Sequence, residues 1–210
     1  DPGLVPEARP LPVLSVAEAS ALSAFGAKVL HADCLAPATR TGYRLIVANT
    51  LRPDASRTWI RPYPEAHPSG PLSVAYKEGL SLLRWGPEAR VEDILEALVA
   101  LEEAGAQRFG LLSVPEGTLL AIRPEAATAT LHALEEQGVQ VEDGWAVVAL
   151  VGEALRETPE PSLRALLAHA PGALLRGTDS VSAAALFPES RLKDLIPSLH
   201  RLCLEPQATL

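Results

Sequence analysis

The sequence predicts an α+β chain whose second and third thirds repeat one pattern of strands and helices. Three observations predict it. Apolar residues make up 48% of the 210 positions and aromatics 4%, so a core is possible and must be mostly Leu, Val, Ala and Ile. Gly and Pro cut the chain into short segments whose apolar spacing switches between strand and helix periods. From Leu72 onward the order strand, helix, strand, strand, helix occurs twice, an internal repeat of about 70 residues in element order.

Taken in chain order, residues 1–14 carry Pro2, Pro6, Pro10 and Pro12 and read as an extended arm. Ser15 and Glu18 form a capping-box pattern, which predicts a helix to about Phe25 with Gly26 as its stop. Residues 43–49 (YRLIVAN) have the β-branched, apolar character of a buried strand. Pro53, Pro62 and Pro64 punctuate the stretch from Thr50 to Pro64 and leave room for a short strand at 58–61.

Residues 72–85 read as two short strands with a turn at Lys77-Glu78-Gly79. The clearest helix is 91–104. Val91, Ile94, Leu95, Leu98 and Val99 recur at helical spacing and predict a buried stripe, Glu92 and Asp93 suit the positive end, and Gly105 stops it. Strands at 107–114 and 118–123 flank Pro115-Glu116-Gly117, a helix spans roughly 125–137, and a strand at 140–143 completes βαββαβ, an order of ferredoxin-like topology. The second copy runs through a strand at 145–152, a helix at 161–169, strands at 173–177 and 180–187 and a helix at 190–204. Pro197 should kink that last helix, which is kept because Leu192, Leu195, Ile196, Leu199 and Leu202 share a face. The second copy lacks a final strand, and 58–61 is expected to be free to supply it. The domains are read as 1–64, 65–143 and 144–210.

The formal net charge of -8 disfavours nucleic acid and anionic membrane surfaces as partners. No run approaches the roughly 20 apolar residues that span a bilayer. Two cysteines, Cys34 and Cys203, make no disulfide framework and suit a reducing, cytoplasmic setting. The chain opens at Asp1 and contains no Met, so residues upstream are expected. His31, Asp33 and Cys34 are metal-capable, but their spacing suits no tetrahedral site, and no metal is expected. His132, His169 and His200 stand singly, while Glu102-Glu103 and Glu135-Glu136 read as solvated helix faces. Trp85 and Trp145 read as core or interface anchors.

Three segments resemble one family. Asp1 to Arg9 (DPGLVPEAR) is similar to the DPR-x-VP-x-A stretch of aspartate kinases, and Gly26 to His31 (GAKVLH) reproduces the start of that family's GAKVLHP signature. Leu45 to Ile60 resembles the exit from its kinase domain, and the likeness continues through VVALVGEAL and GTDSVSAAALFPES of the second repeat. The resemblance implies the end of an α/β amino-acid kinase domain followed by two ACT modules. In the family the kinase moves the γ-phosphoryl of ATP to the β-carboxylate of aspartate, and ACT modules bind lysine or threonine. Lys28 and Asp1 fall at nucleotide-contact positions, but Gly3 stands where the family has an arginine, so the planar guanidinium fork is missing. The family's phosphate loop and catalytic lysine lie upstream. This chain alone is therefore expected not to catalyse, and ATP with Mg²⁺ belongs to an intact parent enzyme.

The resemblance places effector contacts at Gly86, Pro87, Glu88 and Ala89, after the first strand of the first module, and at Phe109 and Ser113. The family's Asp and Gln are absent at the last two, and its Pro-Gly order is inverted in the loop. Two expectations stay open: a homodimer built through ACT modules that senses an amino acid such as lysine or threonine, or a structural or inactive kinase-like protein that has lost effector binding.

Overall fold

The computed structural model describes residues 3–27, 34–35, 43–52, 54–62, 71–157, 160–169, 174–176 and 181–204. The chain forms two compact units: residues 1–76, 148–185 and 191–210 in one, and 77–147 with 186–190 in the other.

In the first unit the proline-rich arm ends in a strand, β1 (Val13–Ser15), which leads directly into α1 (Val16–Ala24). The predicted capping box is present in both directions. Glu18 N–H donates to Ser15 Oγ at 3.0 Å and Ser15 N–H donates to Glu18 Oε2 at 2.8 Å. Gly26, at φ 99°, closes the helix. β2 (Leu45–Val47) and β3 (Thr58–Arg61) complete a three-stranded sheet of order β1-β3-β2. β3 runs parallel to β1, with Val13 opposite Trp59, and antiparallel to β2, with Leu45 opposite Ile60. Leu14 and Ile60 of this sheet are buried, as are Val5 in the arm and Ala19 and Leu22 on α1.

This pairing corrects the expectation for 58–61. Both edges of β3 are taken by β1 and β2, so it has no edge to lend to the second repeat. The start of the next strand takes that role, since Leu72 N–H donates to the Val151 carbonyl at 2.7 Å.

Residues 73–85 are one continuous strand, β4 (Ser73–Trp85), rather than two. Gly79, at φ 75°, absorbs the predicted turn as a local bend, which glycine permits without ending the strand. The same holds for β7 (Gln140–Val151), where Gly144 at φ 80° joins the two segments read separately.

In the second unit, α2 (Val91–Glu103), β5 (Gln107–Val114), β6 (Gly117–Arg123) and α3 (Thr128–Glu136) follow β4 and precede β7. The strand order is β5-β6-β4-β7, the ferredoxin-like arrangement of a βαββαβ module. Leu83 and Trp85 of β4, Leu120 and Ile122 of β6, Ala97 and Leu101 of α2, and Leu131 and Leu134 of α3 share one core. Both helices therefore cover the same sheet face.

The second repeat continues from the end of β7 through a 3₁₀ turn (Glu153–Arg156) and α4 (Glu160–Leu167) to β8 (Leu174–Arg176) and β9 (Ser182–Pro188), and ends in α5 (Leu192–Leu204). Its order is β7-β9-β8, with Leu174 opposite Ala185. β7 and β9 are small and apolar where they are buried: Ala146 to Val151 and Ala183 to Phe187 are each 1% exposed or less. That Ala-rich composition is how a chain with few aromatics packs closely. α5 runs on through Pro197, with Leu192, Leu195, Ile196 and Leu199 buried as predicted.

Candidate functional site

The loop after β4 is a tight turn in which Ala89 N–H donates to the Gly86 carbonyl at 3.1 Å. Gly86, Pro87 and Glu88 are exposed, and Ala89 packs on the core. Arg90 then adopts extended backbone as the N-cap of α2 but supplies no side-chain cap. Its guanidinium instead grips Asp93 at 2.6 Å, which holds the Asp93 carboxyl below the usual carboxylate range and raises Arg90. Both groups are at the surface, so the pair is a weak fastener.

Beyond this turn, α2 and the β5-β6 hairpin enclose a groove of about 340 Å³. Val91, Ile94, Leu95 and Leu98 line it from α2, Leu111 and Ser113 from β5, and Thr118 from β6. Ser113 and Thr118 stand opposite each other in the ladder and are, among the described residues, the polar side chains that line it. The volume lies at the small end of ligand sites. Among the described residues β5 is the terminal strand of its sheet order, with β6 on one edge and no strand on the other.

The predicted stripe on α2 is divided. Ala97 and Leu101 face the core and Ile94 and Leu98 are half-buried, but Val91 is 67% exposed, Leu95 55% and Val99 57%. Leu111 on β5 is 49% exposed alongside. Apolar residues thus spread over more of the helix than one core-facing stripe needs, and that excess width is the sequence signal for this surface.

Of the sequence-predicted positions, Ser113 lies on the groove, and Gly86 to Ala89 lead into it through Val91. Phe109 does not line it. The β5-β6 register slips between Arg108 and Gly110, so Phe109 is the extra residue of a bulge, and Lys77 Nζ sits 5.3 Å from its ring centre. Lys77 also donates to Gln107 Oε1 at 3.0 Å, and its pKa is lowered, first by burial and then by Arg123. Gly3 occupies an N-terminal turn. Lys28, Asp1, His31 and Asp33 lie outside the described residues, while Cys34 is exposed. Among the described residues no helix is long and apolar enough to cross a membrane.

No family model matches the chain. It is 30% identical to an aspartokinase of Chlamydia trachomatis over 74% of its own length, and 22% identical over 96% of its length to a bifunctional aspartokinase/homoserine dehydrogenase of Haemophilus influenzae. This chain is a relative of the aspartokinases. It spans 37% and 27% of those two proteins respectively. Escherichia coli aspartokinase III, solved with lysine and aspartate, superposes at a TM-score of 0.81 over 98% of this chain and 49% of its own, with 23% identity. The regulatory subunit of aspartate kinase from Thermus thermophilus superposes at 0.51 over 63% of this chain and 97% of its own, with 18% identity. The fold is therefore that of aspartokinase chains, with two ferredoxin-like ACT modules after a short N-terminal piece.

Proposed function

We propose that this chain is the C-terminal regulatory part of an aspartate kinase, which binds a pathway amino acid such as lysine or threonine at its first module and pairs with a second copy through the same face. The groove between α2 and β5 carries the reading. It is of ligand size, it opens beside the predicted loop at Gly86 to Ala89, and it is lined by β5, the terminal strand of its sheet among the described residues. A small ligand held there would be covered on its open side by a second copy bringing its own α2 and β5. Isothermal titration calorimetry with lysine, threonine and related amino acids tests the sensing half. Heat with one of them is expected, and its absence with all of them rejects sensing.

In the parent enzyme the reaction would be phosphoryl transfer from ATP to aspartate. Gly3 presents no side chain to a phosphate, and Lys28 and Asp1 fall outside the described residues, so no step of that transfer is assigned to this chain. Catalysis, ATP and Mg²⁺ are proposed for the upstream kinase domain, and a cytoplasmic location goes with that reading.

One observation favours the purely structural alternative. Among the described residues the groove offers five aliphatic side chains and two hydroxyls, and no ionised side chain to pair with an ammonium group. An assembly subunit would form a dimer whose melting temperature is indifferent to amino acids.

A further inference from the structure

The buried carboxylate of Glu18 holds more than its own helix. It is 0% exposed, and its two oxygens serve backbone N–H groups from two distant segments of the first unit. Oε2 accepts from Ser15 N–H at 2.8 Å, at the entrance of α1. Oε1 accepts from Glu153 N–H at 2.9 Å, at the start of the 3₁₀ turn that comes after β7. Ser15 Oγ closes the link from the other side by donating to Glu153 Oε1 at 2.5 Å, and Arg156 Nε pairs with Glu153 Oε2 at 2.6 Å. A local capping box needs only Ser15 and Glu18. The additional bonds reach 135 and 138 residues along the chain.

The turn at Glu153 opens the second module at the position where Gly86 to Ala89 open the first. Its first amide, which in an uncapped turn would be available to a carboxylate ligand, is already used by Glu18. We propose that Glu18 is a coupling residue: its carboxylate closes the loop that opens the second module and ties it to the entrance of α1, making that loop a joint rather than an effector site. The inference rests on reading the modules as amino-acid sensors, and it restricts sensing to the first. Displacement of the 153–156 turn would then be delivered to the start of α1, whose far end leads into the GAKVLH segment.

Residue-resolved hydrogen exchange on the whole chain tests it. Glu18→Gln keeps the shape but leaves one oxygen for two donors, so the Ser15 and Glu153 amides should both exchange about tenfold faster, with those of β6 unchanged. Glu153→Pro leaves Ser15 and Glu18 in place and removes the whole distant side of the link: the N–H that Glu18 accepts and the carboxylate that Ser15 Oγ and Arg156 Nε bond. Gly152, at φ 169° and ψ 146°, has the extended backbone that a residue before proline requires, and proline suits the first position of a helical turn. Faster exchange at Ser15 in Glu153→Pro supports coupling; unchanged exchange there means a local cap only and overturns it. Unchanged Glu153 exchange in Glu18→Gln overturns it equally, and if Glu18→Gln fails to fold, Glu153→Pro decides alone. Titration of the native chain with the twenty amino acids should leave the amides of 152–157 unmoved, and a response localised there would reject the joint. Responses at 86–98 and 109–118 are read separately and bear only on sensing by the first module.

Discussion

At Gly117 there is no space for a side chain. Its φ is 132°, and a Cβ would lie 1.9 Å from the carbonyl oxygen of Trp85. Gly117→Ala should therefore cost about 3 kcal/mol or more, through a backbone clash added to a left-handed conformation. In a chain of this size that is a fall of roughly 6–12 °C in melting temperature. Gly86→Ala, with open space around it, is the control and should change little. His200 gives the pH dependence. Its Nδ1 is buried without a hydrogen-bond partner among the described residues, and burial lowers its pKa below the ordinary 6.5, with Glu7 opposing. The folded state then favours the neutral ring while the unfolded chain takes up a proton. Stability contributed at neutral pH is lost as pH falls below 6.5 toward the depressed folded value. Melting temperatures between pH 7 and 5 should fall less steeply in His200→Asn than in the native chain. Glu18 shows how far a single residue is legible: its capping box spans three positions and is visible in the sequence, but its bond to Glu153 joins segments that only folding brings together.

Among the elements, α2 separates periodicity from burial. Spacing alone put Val91, Leu95 and Val99 on the buried stripe, yet they are exposed, and Ala97 and Leu101 hold the core instead. Helical spacing reports an apolar face without naming what covers it. Leu95→Glu with Val99→Lys should leave the core of the module intact and shift stability by only about 0.5 kcal/mol. The same pair should turn a dimer into a monomer in sedimentation velocity. A native chain that is already monomeric, or a dimer unaffected by the pair, would reject α2 as the contact face. β4 and β7 carry a related lesson. Lys77-Glu78-Gly79 has the composition of a turn, but neighbouring strands hold the backbone extended on both sides of Gly79, so the ladder overrides the local signal. The bulge at Phe109 likewise depends on the register with β6 and has no mark in the sequence.

For the whole molecule, the alternation of strands and helices and the two repeats follow from the sequence, because they depend on spacing, turn residues and caps within a few positions of each other. The match to aspartokinase chains across 98% of the length agrees with that reading of the fold. Strand partnership was decided by tertiary structure. The second repeat needed a fourth strand, and the sequence offered 58–61 because it was short, apolar and unassigned. Folding placed it between β1 and β2 and gave the vacant edge to the start of β4. The groove has the same origin: Val91, Leu111, Ser113 and Thr118 are individually ordinary residues that become a surface only when α2 lies beside the hairpin. A strand's sequence specifies how it can pair and which face is apolar. Which edge it meets is settled by the combination of chain connections and buried area that all the strands can satisfy together.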